Sequence, residues 1–152
     1  MSPEPLLIFE TRTRGLKRRE LQKYAWELLR NLAPGRSYCA LVTGDEELRR
    51  LNNEFRGQDY ATDVLSFPSD SPAGSLGDIA ISVDRAAAQA AEHGHDTPTE
   101  IQILLLHGLL HLLGHDHETD KGLMRRLEAK WRRKLGLPTG LIERSGRKRG
   151  KQ

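Results

Sequence analysis

The chain has 152 residues, of which 37% are hydrophobic and 5% are aromatic, and a formal net charge of +3. This length and composition suit one domain with a real core, and no run of about eighteen uncharged apolar residues is available for a transmembrane helix. Cys39 is the only cysteine, which excludes an intramolecular disulfide. We therefore expect a cytoplasmic protein with one domain over residues 1–140 and a basic, disordered tail over 141–152.

The first half of the chain predicts strands alternating with helices. "EPLLIFE" predicts a strand, and apolar residues recur at helical spacing through "LKRRELQKYAWELLRNL". A second strand is predicted at "YCALVT", where Cys39 fits core packing better than a nucleophile. Asp45 is then placed to cap the helix "GDEELRRLNNEFR".

The second half predicts a hairpin and three helices. "DVLSF" and "LGDIAISV" predict paired strands, and "DRAAAQAAEHG" predicts a helix that ends at Gly94. The next helix, "TPTEIQILLLHGLLHLLG", begins with a capping-box pattern in which Thr97 is the N-cap and Glu100 the third helical residue. The last helix lies in "ETDKGLMRRLEAKWRRKLG" and ends at Gly136. Together these elements predict a compact α+β domain with about four strands in a small mixed sheet and about five helices.

The stretch "HGLLHLLGHDH" holds four of the six histidines. His107 and His111 are four residues apart, so they share one face of the helix. Gly114 can take the left-handed conformation that ends the helix and returns His117 to that face. Three imidazoles leave the fourth position of a tetrahedral zinc ion open, which is typical of catalytic zinc. The alternative is that these are hydrogen-bonded core or surface residues, whereas His115 is expected to face solvent or at most to touch a ligand.

Gly108 bears on the class of reaction. It occupies the position at which H-E-x-x-H metalloproteases carry the glutamate that serves as general base. Peptide hydrolysis by that route therefore lacks its proton acceptor. Asp116 and Glu118 flank His117 and have the right chemistry either to act on a bound water or to orient a ligand imidazole, and their spacing establishes neither role.

The histidine stretch resembles the signature of the YbeY family, bacterial metal-dependent endoribonucleases of rRNA maturation and ribosome quality control. "LNNEFRGQDYATDVLSFP" resembles the arginine-bearing stretch of that family and the strand after it, and "LGDIAIS" resembles the strand paired with that one. The resemblance covers most of residues 6–136. It implies an α+β fold with one zinc ion held by His107, His111 and His117, and an essential arginine at Arg56. At His115 family members often carry an aromatic residue.

The resemblance also implies a reaction, the hydrolysis of phosphodiester bonds in single-stranded rRNA, including the 3′ end of the small-subunit rRNA. Arg56 and His107 are then the catalytic residues, with Arg56 as a planar, permanently charged clamp on phosphate. Without the resemblance, Arg56 would be interpreted as a solvated cation at a helix end. Asp63 and Asp78 are assigned to structural roles, such as holding the loop that presents Arg56, in preference to direct catalysis.

RNA contacts beyond the metal site are predicted less specifically. Tyr60 follows Arg56 closely and either stacks on an RNA base or packs against the protein. The segments "TRTRGLKRRE" and "RSGRKRGKQ" either contact RNA phosphates or are solvated. His93 and His95 fit helix-end residues better than a second metal site. The expected partners are single-stranded rRNA and the ribosome or its proteins, and no membrane is expected as a partner. Two other functions are considered. The first is a non-catalytic zinc protein that binds RNA or the ribosome, and the second, less favoured, is a metalloprotease.

Overall fold

The structure is a computed structural model that describes residues 6–70, 74–115, 121–138 and 142. Within these ranges the elements follow one another as β1 (Leu6–Phe9), α1 (Arg18–Leu32), β2 (Ser37–Thr43), α2 (Asp45–Arg56), β3 (Val64–Pro68), β4 (Ser75–Ser82), α3 (Val83–His93), α4 (Thr97–Leu112) and α5 (Leu123–Lys134). The four strands form one sheet in the order β1-β2-β4-β3. The predicted α+β fold with a small mixed sheet is confirmed.

The sheet is mixed because its edge strand β3 runs against the others. β1, β2 and β4 are parallel, and β3 pairs antiparallel with β4, as expected for the predicted hairpin. Successive side chains of a strand point to opposite faces. On one face Val42 and Ile79 join the main core with the helices. On the other face Leu48 of α2 packs against Leu65 and Ala80 in a smaller cluster.

Helix α4 lies within the main core. Twelve of its sixteen residues are buried, so it lacks the polar face of a surface helix. It contacts β3 and β4 of the sheet and the helices α1, α3 and α5. The hydroxyl of Tyr24 on α1 donates to the carbonyl of Gln102 at 2.8 Å and ties the two helices together. A helix this well enclosed provides a rigid support for side chains that carry chemistry.

The start of α4 differs from the predicted capping box. The N-cap is Asp96 and not Thr97, since an Asp96 carboxylate oxygen accepts from the backbone N–H of Thr99 at 2.9 Å. Glu100 contacts His95 instead, with 2.6 Å between Oε1 and Nε2. "DTP" offers two neighbouring capping residues, and the carboxylate is the one that reaches the open N–H groups.

The start of α2 differs in a similar way. Gly44 is the N-cap, and Asp45, which was predicted to cap the helix, is its first residue. The backbone N–H of Asp45 is satisfied by the carboxylate of Asp84 at 2.8 Å. The Asp45 side chain instead accepts from the hydroxyl of Ser82 at 2.6 Å. The cap is therefore supplied by another element, which local sequence cannot indicate.

Glycines lie at three further helix boundaries. Gly94 ends α3 in the left-handed conformation, with φ at 76°, as predicted, and Gly114 follows α4 with φ at 95°. α5 begins at Leu123, after Gly122 with φ at 87°, and is therefore shorter than its predicted segment. No helix in the described part of the chain is long and apolar enough to cross a membrane.

Candidate metal centre

His107 and His111 lie one turn apart on α4, close to its C-terminal end. Their ring centroids are 4.8 Å apart and the ring planes make an angle of 71°. His107 is buried and His111 is half-buried. Two imidazoles so placed fit two ligands of one metal ion. The predicted third ligand, His117, and its neighbour Asp116 lie outside the described residues, and within those residues no group of three metal-ligating side chains occurs.

A buried glutamate orients His107. Nδ1 of His107 lies 2.7 Å from Oε2 of Glu128 on α5, and Glu128 is fully buried. An ionised carboxylate only accepts hydrogen bonds, so this contact favours the tautomer with the proton on Nδ1 and the ring lone pair on Nε2. Such a carboxylate on the far nitrogen is typical of histidines that ligate zinc. The residues present therefore fit a metal ion.

Glu128 was not identified from the sequence. It stands in "LMRRLEAKWRRK", where a glutamate among cations is expected to be solvated. The one available signal is its spacing of four from Met124, the other buried residue of α5. That spacing places Glu128 on the inner face of the helix, where a carboxylate requires a partner.

Gly108 faces the sheet and not the histidines. A Cβ atom at this position would lie 3.0 Å from Cγ2 of Ile79 and 3.3 Å from the hydroxyl of Ser66. The Ser66 hydroxyl donates to the Gly108 carbonyl at 3.0 Å, which fastens α4 to β3. A larger side chain here would press on the side chains of Ile79 and Ser66, so packing as well as sequence disfavours the H-E-x-x-H arrangement. Ser66 is thereby part of the packing between the sheet and the histidine helix.

Arg56 is the last residue of α2 and is exposed. Among the described residues it has no hydrogen-bond or ion-pair partner, whereas the other arginines of α2 are paired with carboxylates. Beside it, Phe55 is 61% exposed and its ring makes an edge contact with Phe67 of β3, at 5.3 Å between centroids. Tyr60 is 56% exposed in the following loop. This end of α2 thus presents a cation and two aromatic rings to solvent.

The loop that follows Arg56 is held in place from α2. The side-chain amide of Asn52, which is buried, donates to the carbonyl of Tyr60 at 2.9 Å. Arg49 makes two hydrogen bonds to the carboxylate of Asp59, at 2.8 and 3.2 Å. The hydrogen bonds to Arg49 hold the pKa of Asp59 below its usual range. Tyr60 is therefore presented by a fixed loop.

The two aspartates that were assigned structural roles differ in their surroundings. Asp63 accepts from the N–H of Val64 at 2.8 Å and from the side chain of Gln89 at 3.2 Å, so it joins the loop, β3 and α3. Asp78 is exposed on β4, opposite Cys39 of β2. Burial, and secondarily the Asp78 charge, raise the pKa of the Cys39 thiol, which disfavours a nucleophilic thiolate.

The other histidines contact different groups. Nε2 of His95 is 2.6 Å from a carboxylate oxygen of Glu100, which is fully buried. The rings of His93 and His95 are stacked with centroids 6.4 Å apart. His115 is half-buried, and its backbone N–H donates to the carbonyl of Leu110 at 3.1 Å as the helix ends. Within the described residues these three do not form a second three-ligand site.

Comparison with known proteins gives one family and one fold. Residues 9–136 match the family model of Endoribonuclease YbeY. A protein of Solibacter usitatus named Endoribonuclease YbeY is 57% identical over 144 residues, which cover 94% of this chain and 97% of that protein. The protein of the same name from Koribacter versatilis is 46% identical over 92% of this chain and 91% of its own length. The solution structure of TM1509 from Thermotoga maritima is similar with a TM-score of 0.59 and 26% identity, covering 84% of this chain and 85% of that one.

Proposed function

Because the chain belongs to the endoribonuclease YbeY family, we propose that it is a metal-dependent endoribonuclease that hydrolyses phosphodiester bonds of single-stranded RNA. Its proposed substrate is rRNA. Its proposed role is the maturation and quality control of ribosomes in the cytoplasm, and its proposed partners are the ribosome and ribosomal proteins. Family membership supports the endoribonuclease activity. Metal dependence is supported above all by the His107–His111 pair, whose buried member is oriented by Glu128.

In this proposal His107, His111 and His117 hold one zinc ion. When bound, such an ion supplies Lewis-acid activation of water and of a phosphoryl oxygen. The chain contributes the fixed direction of the His107 ring, with its Nδ1–H bound to a carboxylate that is itself enclosed by the core. A ligand held in one orientation on a buried helix does not have to be reordered when substrate binds.

Arg56 is proposed to bind the phosphate of the substrate. Its guanidinium has no carboxylate to compete for it among the described residues, and its planar fork matches two phosphate oxygens. The same positive charge stabilises the additional negative charge that develops on the phosphate during hydrolysis. Tyr60, on the loop fixed by Asn52, is proposed to stack on a base of the bound strand. Stacking requires an unpaired base, which favours single-stranded substrates.

The test measures RNA cleavage, RNA binding and zinc binding in wild type and in variants. Wild type stripped of metal and reloaded with zinc is expected to cleave unstructured RNA, and His107→Ala is expected to lose that cleavage by about 100-fold or more. His93→Ala, which removes an exposed imidazole from α3, is the matched control and is expected to cleave like wild type.

Each alternative predicts a different result in that test. If reloaded wild type binds RNA and zinc but does not cleave, the protein is the non-catalytic RNA- or ribosome-binding protein. If His107→Ala cleaves as fast as wild type, zinc held by α4 is not the catalyst. Cleavage of a denatured protein substrate would indicate the metalloprotease, which the packing of Gly108 disfavours.

A further inference from the structure

The carboxylate of Glu128 makes two hydrogen bonds to two separate parts of the chain. One oxygen is 2.7 Å from Nδ1 of His107 on α4. The other accepts from the backbone N–H of Ile142 at 2.8 Å, beyond the end of α5. Ile142 is buried and belongs to the main core. A single side chain thus joins the candidate metal centre to the C-terminal part of the chain.

Both hydrogen bonds are needed to place a carboxylate in this position. Glu128 is fully buried, and burial of an unpaired charge is strongly unfavourable. Two N–H donors, one on each oxygen, satisfy the charge and fix the plane of the group. The ring of His107 and the backbone at Ile142 are therefore held by one rigid acceptor. If either hydrogen bond is broken, the Glu128 carboxylate can turn more freely, and the group that still contacts it is held less firmly.

We propose that Glu128 is a positioning residue of the metal centre, which fixes the His107 ring with Nε2 as the ligand atom and makes docking of the chain at Ile142 part of the same unit. This inference rests on the metal site of the proposed function. Glu128 raises the affinity of the site for zinc, and zinc in turn stabilises the docked position of Ile142, since coupling between two sites is reciprocal.

The first test needs no variant. Long-range proton–nitrogen NMR of the metal-free protein distinguishes the two tautomers of His107. The proton is expected on Nδ1, because that nitrogen lies 2.7 Å from Oε2 of Glu128 and an ionised carboxylate can only accept. A proton on Nε2 would overturn the proposal.

The second test measures zinc affinity by competition with a chromophoric chelator. In Glu128→Gln the side chain accepts through one atom only, so one of its two hydrogen bonds is lost, and zinc is expected to bind about 10- to 100-fold more weakly. Leu137→Ala is the matched control, because it removes a buried apolar side chain of the same core without touching the carboxylate. The folded Leu137→Ala protein is expected to bind zinc like wild type. Equal affinity of wild type and Glu128→Gln, or an equal loss in both variants, overturns the positioning role.

The third test concerns the coupling to Ile142. Zinc is expected to slow amide hydrogen exchange at Ile142 in wild type and to slow it less in Glu128→Gln. Exchange that does not respond to zinc in wild type overturns the coupling. The proposed function fails on different results. A wild type that binds no zinc, or that binds zinc and does not cleave RNA, contradicts the proposed function. The tautomer of His107 is measured without metal, so neither result bears on it.

Discussion

The arginines of α2 differ in what they contact, and this difference allows a controlled test of Arg56. Arg56→Ala is expected to lower kcat/KM for RNA by about 100-fold with unchanged thermal stability, because an exposed side chain with no described partner adds little to folding. Arg56→Lys keeps the charge but loses the planar fork, so an intermediate rate is expected.

Arg50→Ala is the control for Arg56. Arg50 lies on the same helix, and its guanidinium is paired with Glu47 and Glu54. Its loss is expected to leave RNA cleavage within about twofold of wild type, since exposed ion pairs of this kind contribute little. Equal losses in the two variants would show that general positive charge, and not the position of Arg56, matters.

Tyr60 allows stacking to be separated from other interactions. Tyr60→Ala is expected to raise KM for single-stranded RNA about tenfold, which corresponds to the loss of one stacked base, with little change in kcat. Tyr60→Phe retains the ring and is expected to behave like wild type. Steady-state kinetics on a short RNA checks both variants, and a Tyr60→Phe enzyme as weak as Tyr60→Ala would remove stacking as the explanation.

At the scale of single residues, the sequence predicts side chains whose spacing is local. His107 and His111 were predicted because four residues make about one helical turn, and the structure has them on one face. Glu128 was missed because its hydrogen bond with His107 spans 21 residues and two helices. The part of the site that lies on one helix, α4, could therefore be predicted from the sequence. The residue that orients His107 could not, because its position depends on how α5 packs on α4.

At the scale of elements, the cap of α4 gives a prediction with a pH dependence. Asp96→Ala is expected to lower the free energy of unfolding by about 1 kcal/mol near neutral pH, the usual value of a lost N-cap. Hydrogen bonds from the Thr99 side chain and backbone lower the pKa of Asp96 in the folded state. The contribution of Asp96 is therefore present above the ordinary carboxyl pKa and is lost as the pH falls through the lowered one.

Denaturant unfolding at several pH values checks this prediction. The difference between wild type and Asp96→Ala should shrink as the solution becomes acidic. Asp96→Asn keeps a capping oxygen without a titrating group, so its difference from wild type should carry the pH dependence alone. A difference between wild type and Asp96→Ala that stays constant down to the most acid condition would contradict the role of the carboxylate.

The sequence predicts the helices and strands themselves better than it predicts which strands pair in the sheet. The five helices and the β3–β4 hairpin were indicated by periodicity and by turn residues between them. The pairing of β2 with β4, which places β3 at the edge, brings together strands separated by α2 and β3. No local pattern specifies that pairing. It depends on covering both faces of β4, with α4 on Ile79 and α2 on Ala80.

At the scale of the whole molecule, charge is unevenly divided along the chain. The formal net charge of +3 becomes −2 without residues 144–152, because that segment carries five cations and no carboxylate side chain. Of the predicted tail, the structure describes Ile142 alone, so its part in RNA binding stays a prediction. A chain of net negative charge would approach an RNA strand with much less electrostatic attraction.

Truncation after Glu143 tests this directly, and it retains Ile142 and its hydrogen bond with Glu128. The truncated protein is expected to bind single-stranded RNA more weakly and with a shallower dependence of log K on log salt, by about 0.7 for each phosphate that the tail no longer neutralises. A full-length variant with Arg144, Arg147 and Arg149 changed to Lys keeps the charge and is expected to keep the slope. Binding isotherms at several salt concentrations give both slopes. An unchanged slope after truncation would mean that the tail binds no phosphates and that the folded domain alone attracts the RNA.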